Sequence, residues 1–337
     1  MSKITVSYFP LQAHCFAFGG FEIQMLSAYD AINEFSKDIL NLEKIDVWNK
    51  NNDFEIAHFW GLEMANFNNV YWANKSGKKV VLTVLLSYYD KPFSKLKHKI
   101  SSYIHNAKYQ LELLKYVDAL VVVNDEQRNV ASSVFKFDKS RIYVIPNIIH
   151  DNFINHEEVN INGQQDYVLI TGNVCKRKNQ LTLAKACAEI NKNLVIVGKE
   201  MPGEENYAKE LQHLVNKSSN ITWIKGLTEN SDQLISLIKN CFMFALPSFS
   251  ETQPISLLEA AFCQKPLLIS NKTFGKQKYY ENAYLVDPNS IESIKKGLIS
   301  VFSNPLMYIV PQENLFPCTK LKVAESYTNV YLSLIDA

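Results

Sequence analysis

Residues Ser248 to Ser270 read SFSETQPISLLEAAFCQKPLLIS. The apolar run Cys241 to Leu246 just before them reads as a strand ending at Pro247. A polar turn, Ser248 to Thr252, follows. Pro254 suits a first helical position, where a missing N–H costs nothing and φ is already helical. Ile255, Leu257, Leu258, Ala261 and Phe262 repeat at helical spacing, and Leu267 to Ile269 reads as the next strand. Glu251 then lies in the turn before the helix, and Glu259 about a turn and a half inside it. The unbonded amides of a first helical turn can hold a phosphate, with the two carboxylates flanking it. The plainer alternative is an amphipathic helix with a capping carboxylate and one solvated Glu.

The same strand-then-helix unit recurs on both sides. Upstream, strands are expected at Ile4 to Phe9, Phe54 to Trp60, Lys79 to Leu86, Val117 to Asn124 and Arg141 to Ile145. After a polar, unpatterned stretch from 151 to 165, read as a linker, they resume at Asp166 to Thr171, Asn193 to Gly198 and Ile221 to Gly226. Ala283 to Val286 follows the central stretch. Helical patterns separate most of them, so the fold class is α/β with mostly parallel sheets. Two βα domains are expected, at 1–150 and 151–318. A terminal helix over 319–337 carries Val323, Ala324, Tyr327, Val330, Tyr331 and Leu334 at helical spacing.

The totals fit that division. A chain of 337 residues has room for about two domains, and 47% apolar residues can fill two cores. A net charge of +1 gives no global field for nucleic acid. None of the six cysteines forms a C-x2-C pair, so they read as reduced thiols of a cytoplasmic protein. The N-terminus lacks the apolar core of a signal peptide, and no apolar run approaches the ~20 residues that cross a bilayer. Neither Asp-x-Asp nor Gly-x-Gly-x-x-Gly occurs. The absence of the latter argues against a dinucleotide dehydrogenase.

Glu251 and Glu259 form a Glu-x7-Glu pair followed by Ala260-Ala261, in a strand-turn-helix setting. This resembles the signature of the retaining glycosyltransferases of family 4, which have the GT-B fold: two Rossmann-like domains facing across a cleft, with the terminal helix crossing back onto the first. The resemblance is strongest over 166 to 290. It implies a nucleotide-diphosphate sugar as donor substrate, held mainly by the second domain. It also implies a glycan or polyprenyl-linked acceptor on the first, and neither metal nor cofactor. Glu251 would meet the hydroxyls of the donor sugar and Glu259 the ribose diol. The amides of Ile255, Ser256 and Leu257 would face the diphosphate.

Gly172-Asn173 and Lys178 resemble the family's Gly-Arg followed five residues later by Lys, whose cations meet the diphosphate. Asn173 stands where the family has Arg, and the adjacent Arg177 is the candidate to supply that charge. Fixed cations there stabilise the charge that grows on a departing diphosphate. Gly19-Gly20 resembles the family's first-domain glycine loop. The family's functional His, in a Thr-Val-His context, is replaced by Leu85 in Thr83-Val84-Leu85. His58 is the nearest substitute as a catalytic group, with a purely structural His as the alternative.

Lys91 to Lys115 is basic and carries interleaved aromatics, which suggests peripheral contact with an anionic membrane or simply a solvated basic face. The expected activity is hexosyl transfer with retention in bacterial surface polysaccharide or lipopolysaccharide synthesis. A nucleotide-sugar epimerase of the same fold and a catalytically inactive binding partner remain open alternatives.

Overall fold

This computed structural model describes residues 3–16, 18–51, 53–86, 105–155, 165–228 and 231–336. The chain divides into two compact units, residues 1–148 with 317–337, and residues 149–316.

The first unit holds a six-stranded parallel sheet in the order β2-β1-β3-β4-β5-β6. Its strands are β1 Ile4–Phe9, β2 Leu40–Lys44, β3 Ile56–Trp60, β4 Lys79–Thr83, β5 Ala119–Val122 and β6 Ile142–Val144. All five residues of β3 are buried, as are all four of β5. Strands covered on both faces need such continuous apolar runs. Sequence reading missed β2, so the strand expected at Phe54 to Trp60 is the third in sequence and not the second. Only Leu40 and Leu42 of β2 point inward; Asn41, Glu43 and Lys44 are exposed. An edge strand with one wet face shows no apolar run to find.

Helix Lys320–Ile335 returns to this unit and packs against helix Gly20–Phe35. Its Val323, Ala324, Tyr327, Val330, Tyr331 and Leu334 join Val6, Tyr8, Ile32 and Trp60 in one core. Polar contacts fix its register: Ser36 Oγ lies 2.7 Å from Thr328 Oγ1, and Lys320 pairs with Glu34.

The second unit repeats the plan in the order β12-β11-β10-β7-β8-β9. Its strands are β7 Gln165–Thr171, β8 Asn193–Val197, β9 Ile221–Ile224, β10 Cys241–Leu246, β11 Leu267–Ser270 and β12 Tyr284–Val286. Every pairing is parallel. In such sheets ligands bind beyond the carboxyl ends of the strands. That edge is where the turns after β7 and β10 meet.

Of the expected linker, Asp151–Asn155 is a short helix and Gln165 begins β7, while 156–164 lie outside the described residues. Most of the basic segment, 91–104, also lies outside them; within the rest, His105–Leu114 is helical. Among the described residues no helix is long and apolar enough to cross a membrane.

Candidate active site

The turn after β7 is built to hold one lysine. Gly172 has φ +118, which favours glycine, and a Cβ there would sit 2.7 Å from Lys178 Cε. The Lys178 side chain therefore lies across Gly172, in the space that any other residue would fill. Lys176–Lys178 is a 3-10 turn that ends at Asn179 in the left-handed region, φ 63. The Asn179 amide donates to the carbonyls of Pro247, at 3.1 Å, and Pro288, at 2.8 Å. One asparagine thus ties the turn after β7 to those after β10 and β12.

Glu251 sits where these turns meet. Its Oε1 accepts from Lys178 Nζ at 3.0 Å and from Ser248 Oγ at 3.2 Å, and Arg177 Nη1 stands 2.7 Å away. Arg177 Nη1 also donates to the Ser250 carbonyl, and the Phe249 amide to the Arg177 carbonyl. Burial pushes the Glu251 carboxyl up, but Lys178 and Arg177 more than offset it, so its pKa lies below the usual value. The side chain is an anion over the working pH range, with two cations gathered on one of its oxygens.

Helix Ile255–Phe262 begins beside this cluster. Its N-cap, Pro254, offers no side-chain hydrogen bond. The Leu257 amide is already bonded to the Pro254 carbonyl at 3.1 Å, and its side chain is fully buried. This narrows the expected run of phosphate-facing amides to Ile255 and Ser256. Glu259 is 7% exposed, on the same helix. Asn173, at the family's Arg position, is exposed, and its carbonyl accepts from the Gln180 amide at 2.9 Å. The structure therefore brings Gly172, Arg177, Lys178, Glu251, Ile255 and Ser256 to one edge. Sequence reading missed Asn179 and Ser248, which hold that arrangement through partners found only in the fold.

Gly19, Gly20 and His58 belong to the first unit. The Gly19 amide is taken by Glu22 Oε2 at 2.9 Å, so it is not open to a phosphate in this state. Gly20 differs from Gly172, because its absent side chain has no protein cause. A Cβ there would meet nothing within 4 Å, and the residue is helical. An added methyl should be harmless to the fold, or stabilising by up to about 1 kcal/mol. We expect Gly20→Ala to keep or raise the melting temperature while impairing transfer. A variant that is both stable and fully active would show that no ligand passes this backbone.

His58 does not serve as expected. It lies in the middle of β3, is 0% exposed, and bonds Tyr331 through Nδ1 at 2.7 Å and Thr83 through Nε2 at 2.8 Å. Burial lowers its pKa to about 3, so it is neutral and sealed beneath the returning helix. A group with no solvent access cannot relay protons to a substrate, and its role is structural.

Residues 151–314 match the family model described as glycosyl transferases group 1. They form a group 1 glycosyltransferase domain. The UDP-Gal:alpha-D-GlcNAc-diphosphoundecaprenol alpha-1,3-galactosyltransferase of Escherichia coli is 21% identical over 210 residues, 58% of this chain and 54% of that protein. An uncharacterized glycosyltransferase of Methanocaldococcus jannaschii is 22% identical over 179 residues, 49% of this chain and 42% of that protein. The chain spans about half the length of the curated relatives it matches.

Solved structures extend the likeness to the first unit. Sucrose-phosphate synthase from Thermosynechococcus elongatus superposes with a TM-score of 0.72 at 12% identity, covering 99% of this chain and 100% of that one. HepE from Anabaena, in complex with UDP and glucose, gives 0.70 at 12% identity with the same coverage. The group 1 glycosyltransferase domain is therefore the second half of a GT-B fold. Within it lie Glu251, Lys178 and Asn173, the residues that the sequence reading set against the family's signature.

Proposed function

We propose that this chain is a retaining glycosyltransferase. It moves a hexosyl group from a nucleotide-diphosphate sugar to a glycan or polyprenyl-linked glycan acceptor, in the synthesis of a surface polysaccharide. The observation that carries the reading is the buried Glu251 with Lys178 and Arg177 on one oxygen, beside a helix N-terminus that lacks a side-chain cap. A carboxylate at that edge can accept from sugar hydroxyls. Two cations and the amides of Ile255 and Ser256 can meet a diphosphate and stabilise its growing charge as the glycosidic bond breaks. Such a cation pair does the work of a metal ion, and the proposed mechanism uses neither metal nor cofactor.

The named relatives support the substrate classes. One acts with UDP-Gal on a diphosphoundecaprenol-linked sugar, and another was solved with UDP and glucose. A lipid-linked acceptor would place the enzyme at the cytoplasmic face of a membrane. The leaving phosphate itself would help to deprotonate the acceptor, which fits a site with no evident covalent nucleophile. Glu259, deeper on its helix, would take the ribose diol.

A thermal-shift screen of nucleotide sugars tests the reading, because a ligand that binds the folded state raises its melting temperature by mass action. At least one nucleotide sugar should stabilise the wild type. Lys178→Ala and Arg177→Ala should each lose most of that shift, since both cations reach the same carboxylate. Loss in Lys178→Ala alone would make Arg177 a surface residue. No shift with any donor would remove the proposal. Conversion of the donor without acceptor would favour the epimerase alternative.

A further inference from the structure

Asn179 follows Lys178 and stands at the N-cap of helix Gln180–Glu189, yet its side chain does not cap that helix. Asparagine is favoured before a helix because its side chain can accept from the first amides. Here that bond is forgone, and the backbone takes a left-handed φ of 63, which is unfavourable for a residue with a Cβ. The side chain is 3% exposed and turned towards other elements. Its Nδ2 donates to the Pro247 and Pro288 carbonyls, and its Oδ1 accepts from Thr182 Oγ1 at 2.6 Å. Carbonyls can only accept, so the amide has one orientation here, with both N–H groups spent on the two neighbouring turns. The next residue, buried Gln180, braces the lysine's turn from within. Its Nε2 donates to the Asn173 carbonyl, and its Oε1 accepts from the Cys175 amide at 3.4 Å.

Lys178 needs such a frame. Its ammonium ends a flexible four-carbon stem. The backbone bonds of its own turn run from the Lys178 amide to the Cys175 carbonyl and from the Asn179 amide to the Lys176 carbonyl. They shape the turn but do not reach β10. Pro247 follows β10 and stands four residues before Glu251. The bond from Asn179 to Pro247 therefore joins the segment that carries the cation to the segment that carries the carboxylate. Arg177 makes another tie, to the Ser250 carbonyl, but its side chain is 46% exposed, where water competes. The asparagine bonds are buried, where a hydrogen bond is electrostatically stronger.

We propose that Asn179 is a positioning residue for transfer: by tying the turn after β7 to those after β10 and β12, it sets where the Lys178 ammonium stands beside Glu251. This rests on the transferase reading and adds to it a residue that touches no substrate and acts through Lys178.

Two measurements on the full chain test it. The first is the titration of the Glu251 carboxyl by side-chain carbon NMR, its signal identified by its loss in Glu251→Gln. Burial pushes this carboxyl up, and Lys178 and then Arg177 pull it down. Asn179→Gly keeps the left-handed backbone and removes the side-chain bonds. It should raise the Glu251 midpoint, as Lys178→Ala does, and add nothing further when combined with Lys178→Ala. The second is calorimetric titration with whichever of UDP, GDP or ADP raises the wild-type melting temperature. Asn179→Gly should weaken that binding several-fold in the wild-type background and leave it unchanged in the Lys178→Ala background, the non-additivity expected of two residues that act as one. A residue that merely supports the fold would give equal losses in both. Thr182→Val leaves Asn179 in place and removes the hydroxyl that orients it. It should move both readouts the same way by less, and it carries the test should Asn179→Gly not fold. An unchanged Glu251 titration, or equal losses with and without Lys178, would overturn the proposal. If none of the three nucleotides stabilises the wild type, the transferase reading loses its support separately, and the Glu251 titration still decides whether Asn179 places Lys178.

Discussion

Glu251→Gln is expected to slow transfer by roughly 10²-fold or more, while nucleoside diphosphate alone binds as well as before or better. A hundredfold loss is about 2.7 kcal/mol of transition-state stabilisation. That is the scale of one or two charge-assisted hydrogen bonds to sugar hydroxyls, if those bonds tighten as the sugar gains positive character. The direction of the binding effect follows from the pairing. Lys178 and Arg177 both rest on Glu251 Oε1, so neutralising the carboxylate frees two cations for the diphosphate. Glu259→Gln should behave differently, weakening nucleotide sugar and bare nucleotide alike with little change in kcat. Calorimetric titration with nucleoside diphosphate, beside initial rates, separates the two. Loss of nucleotide binding in Glu251→Gln but not in Glu259→Gln would reverse the assigned roles. Full activity in both would leave only a well-packed helix.

The second large effect concerns His58. Its folded pKa of about 3 lies below the ordinary value of 6.5 because burial disfavours the charged ring. The unfolded chain therefore binds a proton that the folded chain refuses between those two values. Stability contributed by the neutral ring is complete above pH 6.5 and is lost as pH falls towards 3. At about 1.4 kcal/mol per pH unit, this residue alone should remove roughly 2 kcal/mol between pH 6.5 and pH 5. His58→Gln should abolish that part of the slope. At pH 7 it should also cost roughly 2–4 kcal/mol, as expected for disrupting a buried polar network. That network runs from Tyr8 through Tyr331 and His58 to Thr83. Denaturant unfolding of both proteins at pH 7 and pH 5 provides the test, and equal pH slopes would contradict it.

Legibility in the sequence followed locality. The central stretch announced itself because Pro247, Pro254 and Pro266 punctuate it and its apolar residues keep one period; the observed helix Ile255–Phe262 starts one residue later than expected, with Pro254 as its extended N-cap. Gly172, Lys178 and Glu251 were found through the resemblance to a family pattern, and the fold does bring Lys178 to Glu251 across 73 positions of chain. What failed to show was set by distant partners. Asn179 looks like an ordinary polar residue until its left-handed backbone aims the amide at carbonyls 68 and 109 residues away. His58 was placed at a strand end, where a cleft would begin. Its fate is decided by Tyr331, 273 residues later, which covers it. β2 escaped notice because three of its five side chains face water.

The return of Lys320–Ile335 to the first unit also dictates an order of assembly. Residues 149–316 are continuous in the chain and hold the whole of their own core. The first unit, although begun earlier, lacks six residues of its own core until Val323 to Leu334 have left the ribosome. Until then Tyr8, His58 and Trp60 have no cover. Domains generally mature from the N-terminus onward during translation. In this chain the sequence is reversed: the nascent first unit is the late and aggregation-exposed half, and it is completed by residues made after the second.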